Sequence, residues 1–106
     1  MRYEVVFSPQ AECDLEAARE WLSERDSEAA ERWYHRFLDA TISLETFPMR
    51  CPVKFHHAGP HRDVRRLLFG SGTAGYLIYF KIDNELVTIL RIRHGARKPM
   101  APDELG

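Results

Sequence analysis

The sequence predicts one α+β domain: an N-terminal strand, an antiparallel helical hairpin, and a C-terminal three-stranded antiparallel meander packed on the helices. Three observations carry this expectation. Two consecutive stretches in the first half repeat apolar residues every three or four positions. Three runs in the second half are rich in β-branched and aromatic residues. The whole chain is 106 residues and 12.4 kDa, enough for one modest core and no second domain.

Arg2 to Phe7 reads as a short strand, because Tyr3, Val5 and Phe7 alternate with Arg2, Glu4 and Val6. Ser8-Pro9 then starts a helix: a serine hydroxyl accepts an orphan backbone N–H, and proline at the first helical position lacks a donor that would be wasted there. Ala11, Leu15, Ala18 and Leu22 share one face of that helix, which runs to about Glu24. After the polar break Arg25-Asp26-Ser27, a second periodic run spans about Glu28 to Thr46, with Ala30, Trp33 or Tyr34, Phe37, Thr41 and Leu44 on one side, and stops before Pro48. So short a connection makes the helices antiparallel neighbours. Trp21, Trp33 and Tyr34 fall at or beside the seam and are expected in the core.

Met49 to Pro60 shows no period and is expected to be a loop. Val64 to Phe69, Tyr76 to Ile82 and Leu86 to His94 read as strands, joined by Gly70-to-Gly75 and Asp83-Asn84-Glu85 turns. The tail from Gly95 to Gly106 holds two prolines and little that is apolar. It is expected to cross the surface or fray, residues 98–106 above all.

The net charge of −1 hides an asymmetry. Residues 1–48 carry eleven acids and five bases, whereas residues 49–106 carry five acids and ten bases, and twelve of the fifteen bases are Arg. Strict alternation in the last strand sends Leu86, Thr88, Leu90, Ile92 and His94 one way and Val87, Ile89, Arg91 and Arg93 the other. If the hairpin covers the Leu90/Ile92 face, Arg91 and Arg93 project from the open face, joined by Arg65 or Arg66 and Lys81, with Arg97 and Lys98 just beyond. Such a cluster binds phosphates or a partner's carboxylates, or pairs with the acids of the helices. The residues alone leave both open. Asp14 sits on the apolar stripe of the first helix and requires a partner, an Arg of the other helix or the sheet being the first choice. His94, ending a strand beside several Arg, is a candidate general acid or base.

Several classes find no support. Cys13 and Cys51 are far apart, with no CxxC, so neither a zinc site nor a disulfide framework is encoded. His57 and His61 have an i, i+4 spacing, but in a Pro- and Gly-rich loop without clustered acids, so no metal site is expected. No dinucleotide fingerprint, P-loop or nucleophile elbow appears, and no cofactor is expected. Nothing in the sequence approaches a signal peptide or a membrane span, which points to the cytoplasm and no membrane partner.

Phe7-Ser-Pro-x-Ala-x-x-Asp-Leu15, Leu44-x-x-x-Pro48, Arg66-Leu-Leu68, Tyr76-x-Ile-Tyr79 and Ile89-Leu-Arg-Ile-x-His-Gly-Ala-Arg97 together resemble the RelE/ParE superfamily of type II toxin–antitoxin toxins, over about residues 3–98. The helix start and the His-Gly-Ala-Arg ending look more like the ParE branch. The resemblance implies a cognate antitoxin that wraps the toxin in a hetero-oligomer, and, for that branch, inhibition of DNA gyrase without hydrolytic residues. The RelE branch implies instead a ribosome-dependent mRNA endoribonuclease, and a member that has lost toxicity would serve only as an antitoxin-binding module. The RelE basic set would fall here on Arg66 and Arg97, with His94 as the proton-transfer group. Two of that branch's positions depart: Tyr76 stands where an Arg is found, and residues 98–106 contain no Tyr. Arg65, Arg91, Arg93 and Lys98 are the expected target- or antitoxin-binding residues.

Overall fold

The computed structural model describes residues 2–56, 63–71 and 74–105. Ser8 joins the first strand, β1 (Glu4–Phe7), to the first helix, α1 (Pro9–Ser23). Its Oγ accepts from the Ala11 N–H at 3.1 Å and donates to the Leu90 carbonyl at 2.9 Å, while its own N–H donates to the Ile89 carbonyl. One side chain thus caps the helix and ties it to the last strand. Asp26 caps the second helix, α2 (Ser27–Ile42), by accepting from the N–H groups of Glu28 and Ala29. Arg19 bridges the helices to Glu31 at 2.7 Å, its guanidinium lying over the Tyr34 ring.

The second helix ends four residues sooner than its periodicity predicts. After Ile42 the chain tightens into 3₁₀ turns at Ser43–Glu45 and Pro48–Arg50, because Phe47 adopts a left-handed conformation (φ 50°) and Pro48 cannot donate to a helical ladder. Leu44, at the predicted spacing, is still fully buried.

Strands β2 (Val53–His56), β3 (Asp63–Phe69), β4 (Tyr76–Asp83) and β5 (Leu86–His94) complete a five-stranded mixed sheet in the order β1-β5-β4-β3-β2. The meander is antiparallel as predicted, and β1 lies parallel to β5, Glu4 opposite Leu86 and Phe7 opposite Ile89. Strand β2 corrects the expected loop. Its four residues do alternate, Val53 and Phe55 inward and Lys54 and His56 outward, but a run this short beside Pro52 carries too little pattern to stand out. His56 faces Asp63 across the pair at 3.1 Å; His57 and His61 lie outside the described residues. Gly70 (φ +85°) and Gly75 close the β3–β4 turn, and a Cβ at Gly75 would sit 2.7 Å from the Phe69 carbonyl oxygen.

The hairpin covers one face of the sheet, burying Ala11, Leu15, Phe37 and Leu44 against Ile78, Phe80, Val87, Ile89 and Ile92. Each of the larger side chains, Ala11 apart, contributes roughly 1.5–3 kcal/mol by leaving water. Trp33 joins this core as expected, stacked on Phe37 at 5.1 Å.

Two expectations about the opposite face are overturned. A β-bulge shifts the β4–β5 register, so that Tyr79 faces Arg91 but Phe80 faces Ile89. The extra residue reverses the alternation of β5: Ile89 and Ile92 both face the helices, and Leu90 points away. Nor is that second face open. Val64, Tyr79 and Leu90 form a smaller apolar cluster there, and the tail lies on it with Met100 and Leu105 buried. The tail crosses the surface but is anchored rather than frayed.

Candidate functional site: a groove between the first helix and the last strand

Strand β1 ends opposite Ile89, so the edge of β5 beyond it is left for α1 to cover. The bulge aims Arg91 at this edge, where its Nε and Nη2 donate to the two carboxylate oxygens of Asp14 at 2.8 and 3.1 Å. Asp14 also accepts from the Ile92 N–H at 2.9 Å. This is the Arg partner that the placement of Asp14 on an apolar stripe required, and the carboxylate in turn raises the Arg91 pKa, mainly through that hydrogen bond. The pair fixes the first half of α1 to the strand.

Further along, α1 and β5 diverge into a groove of about 380 Å³, lined by Ala17, Ala18 and Trp21 on one side and by Tyr76, Ile92, Arg93 and His94 on the other, with Arg97 at the rim. A volume of this order suits a small ligand or a few side chains of a partner. Trp21 also departs from its expected place in the core. It is 51% exposed, not a seam residue, and the Arg25 guanidinium sits 3.5 Å from its ring centroid while donating to its carbonyl. Asp14, Ala17, Ala18 and Trp21 follow the i, i+3, i+4, i+7 spacing of a helix face. The signal was therefore present, as a second stripe beside the core one.

The groove presents donors. Ala96 N–H donates to His94 Nδ1 at 3.1 Å, so the neutral imidazole carries its proton on Nε2. The same ring stands edge-on to Tyr76, centroids 4.9 Å apart. Burial pushes the Tyr76 phenol up, keeping it protonated. The Arg97 side chain is exposed and makes no ion pair among the described residues. Asp14 lines the same groove, but its oxygens are taken by Arg91 and Ile92. An acceptor-rich or anionic group on an apolar body fits this chemistry.

The other basic residues singled out in the sequence are placed differently. Arg93 does not project freely: Nη1 donates to the Lys98 carbonyl at 2.7 Å and Nη2 pairs with Glu104 at 3.2 Å. Glu104 also accepts from the Ala101 N–H at 2.7 Å and, through its carbonyl, from Arg91 at 3.0 Å. Its carboxyl is held below the usual carboxylate range, first by the Ala101 N–H and then by Arg93. Arg65 reaches the Met49 and Cys51 carbonyls at 3.1 and 2.7 Å, pinning the chain that enters β2. Lys81 pairs with Asp83 at 3.3 Å. The Lys98 side chain is exposed.

Arg66 stands apart from His94 and Arg97. It lies in register with Tyr79 and Arg91, whereas His94 is in register with Tyr76 and Phe69. That is three positions along and two strands across, about 10 Å in each direction, and Arg66 is on the face away from the helices. Its Nε and the Tyr79 hydroxyl are buried without a hydrogen-bond partner among the described residues. Cys13 is exposed and Cys51 buried, the latter thiol pushed up by desolvation. No cluster of metal-ligating side chains occurs among the described residues, and no helix is long and apolar enough to cross a membrane.

A helical hairpin thus covers one face of a mixed sheet and leaves a donor-lined groove where α1 parts from the last strand. Residues 5–99 match the family described as the ParE toxin of the type II toxin–antitoxin system, parDE, and the chain belongs to that family. In fold it is similar to a chain of the chromosomal ParDE toxin–antitoxin system of P. aeruginosa, with a TM-score of 0.68 and 17% identity over 88% of this chain and 96% of that one. No curated protein matches the chain in sequence.

Proposed function

We propose that the chain arrests bacterial growth by inhibiting DNA gyrase, and that a cognate antitoxin neutralises it in the cytoplasm by laying an acidic, apolar segment into the α1–β5 groove. Family membership over residues 5–99 carries this reading. The geometry supports it in two ways. The groove offers Arg97, the His94 Nε2–H and a Trp21 wall to a segment of opposite charge with apolar side chains. The residues that an RNA-cleaving relative would need together are separated, Arg66 lying on the other face from His94. Phosphoester cleavage requires its cations and its proton-transfer group around one phosphate.

Purified protein should block supercoiling by gyrase or accumulate cleaved DNA, and leave translation on ribosomes intact. Codon-specific mRNA cleavage with gyrase untouched would overturn the reading in favour of a ribosome-dependent nuclease. That alternative has one observation in its favour, the meeting of His94, Arg93 and Arg97 in one groove. It predicts that His94→Ala and Arg97→Ala abolish cleavage. For the antitoxin contact, Trp21→Ser and Arg97→Glu should each weaken the complex at least tenfold, and unchanged affinity would remove the groove from the interface.

A further inference from the structure

At the opposite end of the hairpin, where α2 gives way to the 3₁₀ turns, three large apolar side chains face solvent: Ile42 (52% exposed), Phe47 (64%) and Met49 (51%). Their display is built into the fold. Phe47 holds φ 50° and ψ 58°, a conformation that bulky residues avoid, and gains no burial in return. Arg50 locks the turn: Nη1 donates to the Thr46 and Phe47 carbonyls at 2.9 and 3.1 Å, and Nη2 to Ser43 Oγ at 2.9 Å. Ile42 directly precedes Ser43, and Met49 directly precedes Arg50, so the clamp holds the backbone at both ends of the stretch that displays the three apolar side chains. Leu44 and Pro48 anchor the turn from beneath, both buried.

We propose that this apolar knob is the surface through which the chain engages the protein it disables, inserting Phe47 into an apolar pocket ringed by carboxylates on a folded partner. The charge around the knob specifies the ring. Arg50 and Arg65 both bond backbone carbonyls here and neither pairs with a carboxylate among the described residues, so two uncompensated guanidinium groups flank Phe47 and Met49. The shape specifies a folded partner. A wrapping segment lies in a groove, whereas a rigid protrusion needs a preformed concavity opposite. A second copy of the chain is disfavoured by charge, since it would bring the same Arg50 and Arg65 guanidinium groups against one another where carboxylates are needed. That the folded partner is gyrase rests on the function proposed above; the contact itself is tested independently.

Phe47→Asn removes the apolar group but keeps a residue that tolerates φ > 0, and Met49→Gln removes a second apolar contact while leaving the Arg50 clamp in place. Both variants should melt within a few degrees of wild type and co-purify with the antitoxin as wild type does. Induced alone in cells, each should arrest growth at least tenfold less effectively, and each should need at least tenfold more protein to inhibit gyrase supercoiling. Full arrest by both variants overturns the proposal, as does loss of antitoxin binding with toxicity intact, which would assign the knob to the antitoxin. Relief of arrest in cells, where the wild-type protein leaves purified gyrase unaffected, upholds the knob and overturns gyrase as the target. A wild-type chain that arrests nothing overturns both.

Discussion

Replacing Asp14 with alanine removes the one carboxylate that joins α1 to the bulged strand. Three hydrogen bonds end on it, two from Arg91 and one from the Ile92 N–H. An exposed ion pair is worth about 1 kcal/mol or less, and breaking a fully buried one costs about 3–5. With the two side chains 17% and 27% exposed, this pair falls between, because water reaches part of the guanidinium and Arg91 keeps its bond to the Glu104 carbonyl. The Ile92 N–H has no such substitute. The expected loss is about 2–4 kcal/mol, a large share of the roughly 5–15 available to a small domain, lowering Tm by roughly 9–18 °C. Asp14→Asn should cost about half as much, since the amide oxygen still accepts from Ile92. Urea unfolding of the single variants, Arg91→Ala and the double variant isolates the pair, and the coupling energy should exceed about 1 kcal/mol. Additivity within about 0.3 kcal/mol would refute the clamp, and with it the account of how the bulge positions the groove.

Ser8→Ala should cost about 2 kcal/mol, at the upper end for a helix cap, because the hydroxyl also donates to the Leu90 carbonyl; calorimetry or urea titration measures it. Gly75→Ala should destabilise by roughly 1–3 kcal/mol, since its Cβ would meet the Phe69 carbonyl oxygen at 2.7 Å, and an unchanged Tm would contradict the tight turn. The Glu104 carboxyl has a folded pKa below its unfolded value, so the stability it adds is complete above the unfolded value near 4.3 and is lost as pH falls through the folded one. Tail anchoring should therefore weaken on acidification below about pH 4.3, seen as faster amide exchange in residues 98–105 than in β4, and Glu104→Gln should show the weakened anchoring already at neutral pH.

The tail illustrates where a linear reading stops. Twelve residues with two prolines look like a chain end without a core to join, and only Met100 and Leu105 are apolar anchors of any size. They become anchors because Leu90 is turned toward them by the bulge and because Arg91 and Arg93 bind backbone and carboxylate groups of the tail. The Arg residues expected to face a partner are therefore largely spent inside the domain. Arg97 and Lys98, beyond the strand, remain exposed.

Periodicity and capping are local, so residues near one another in the chain were enough to place β1, both helices and the three meander strands. The Ser8-Pro9 start, the polar break at Asp26 and the need of Asp14 for an arginine were legible for the same reason: each follows from a group that is unsatisfied within its own element. The acid-then-basic division of the chain was equally plain from counting, but its use was not. Strand register and the β-bulge depend on pairing between residues far apart in sequence, and a single extra residue in β5 reversed which side chains meet the helices. That reversal turned Ile89 to the helices, moved Leu90 to the tail and left Arg91 at the edge where Asp14 meets it, while the pairing of β3 with β4 separately put Arg66 on the other face from His94. Side-chain identity could nominate these residues for chemistry. Which of them share a surface was decided by the sheet.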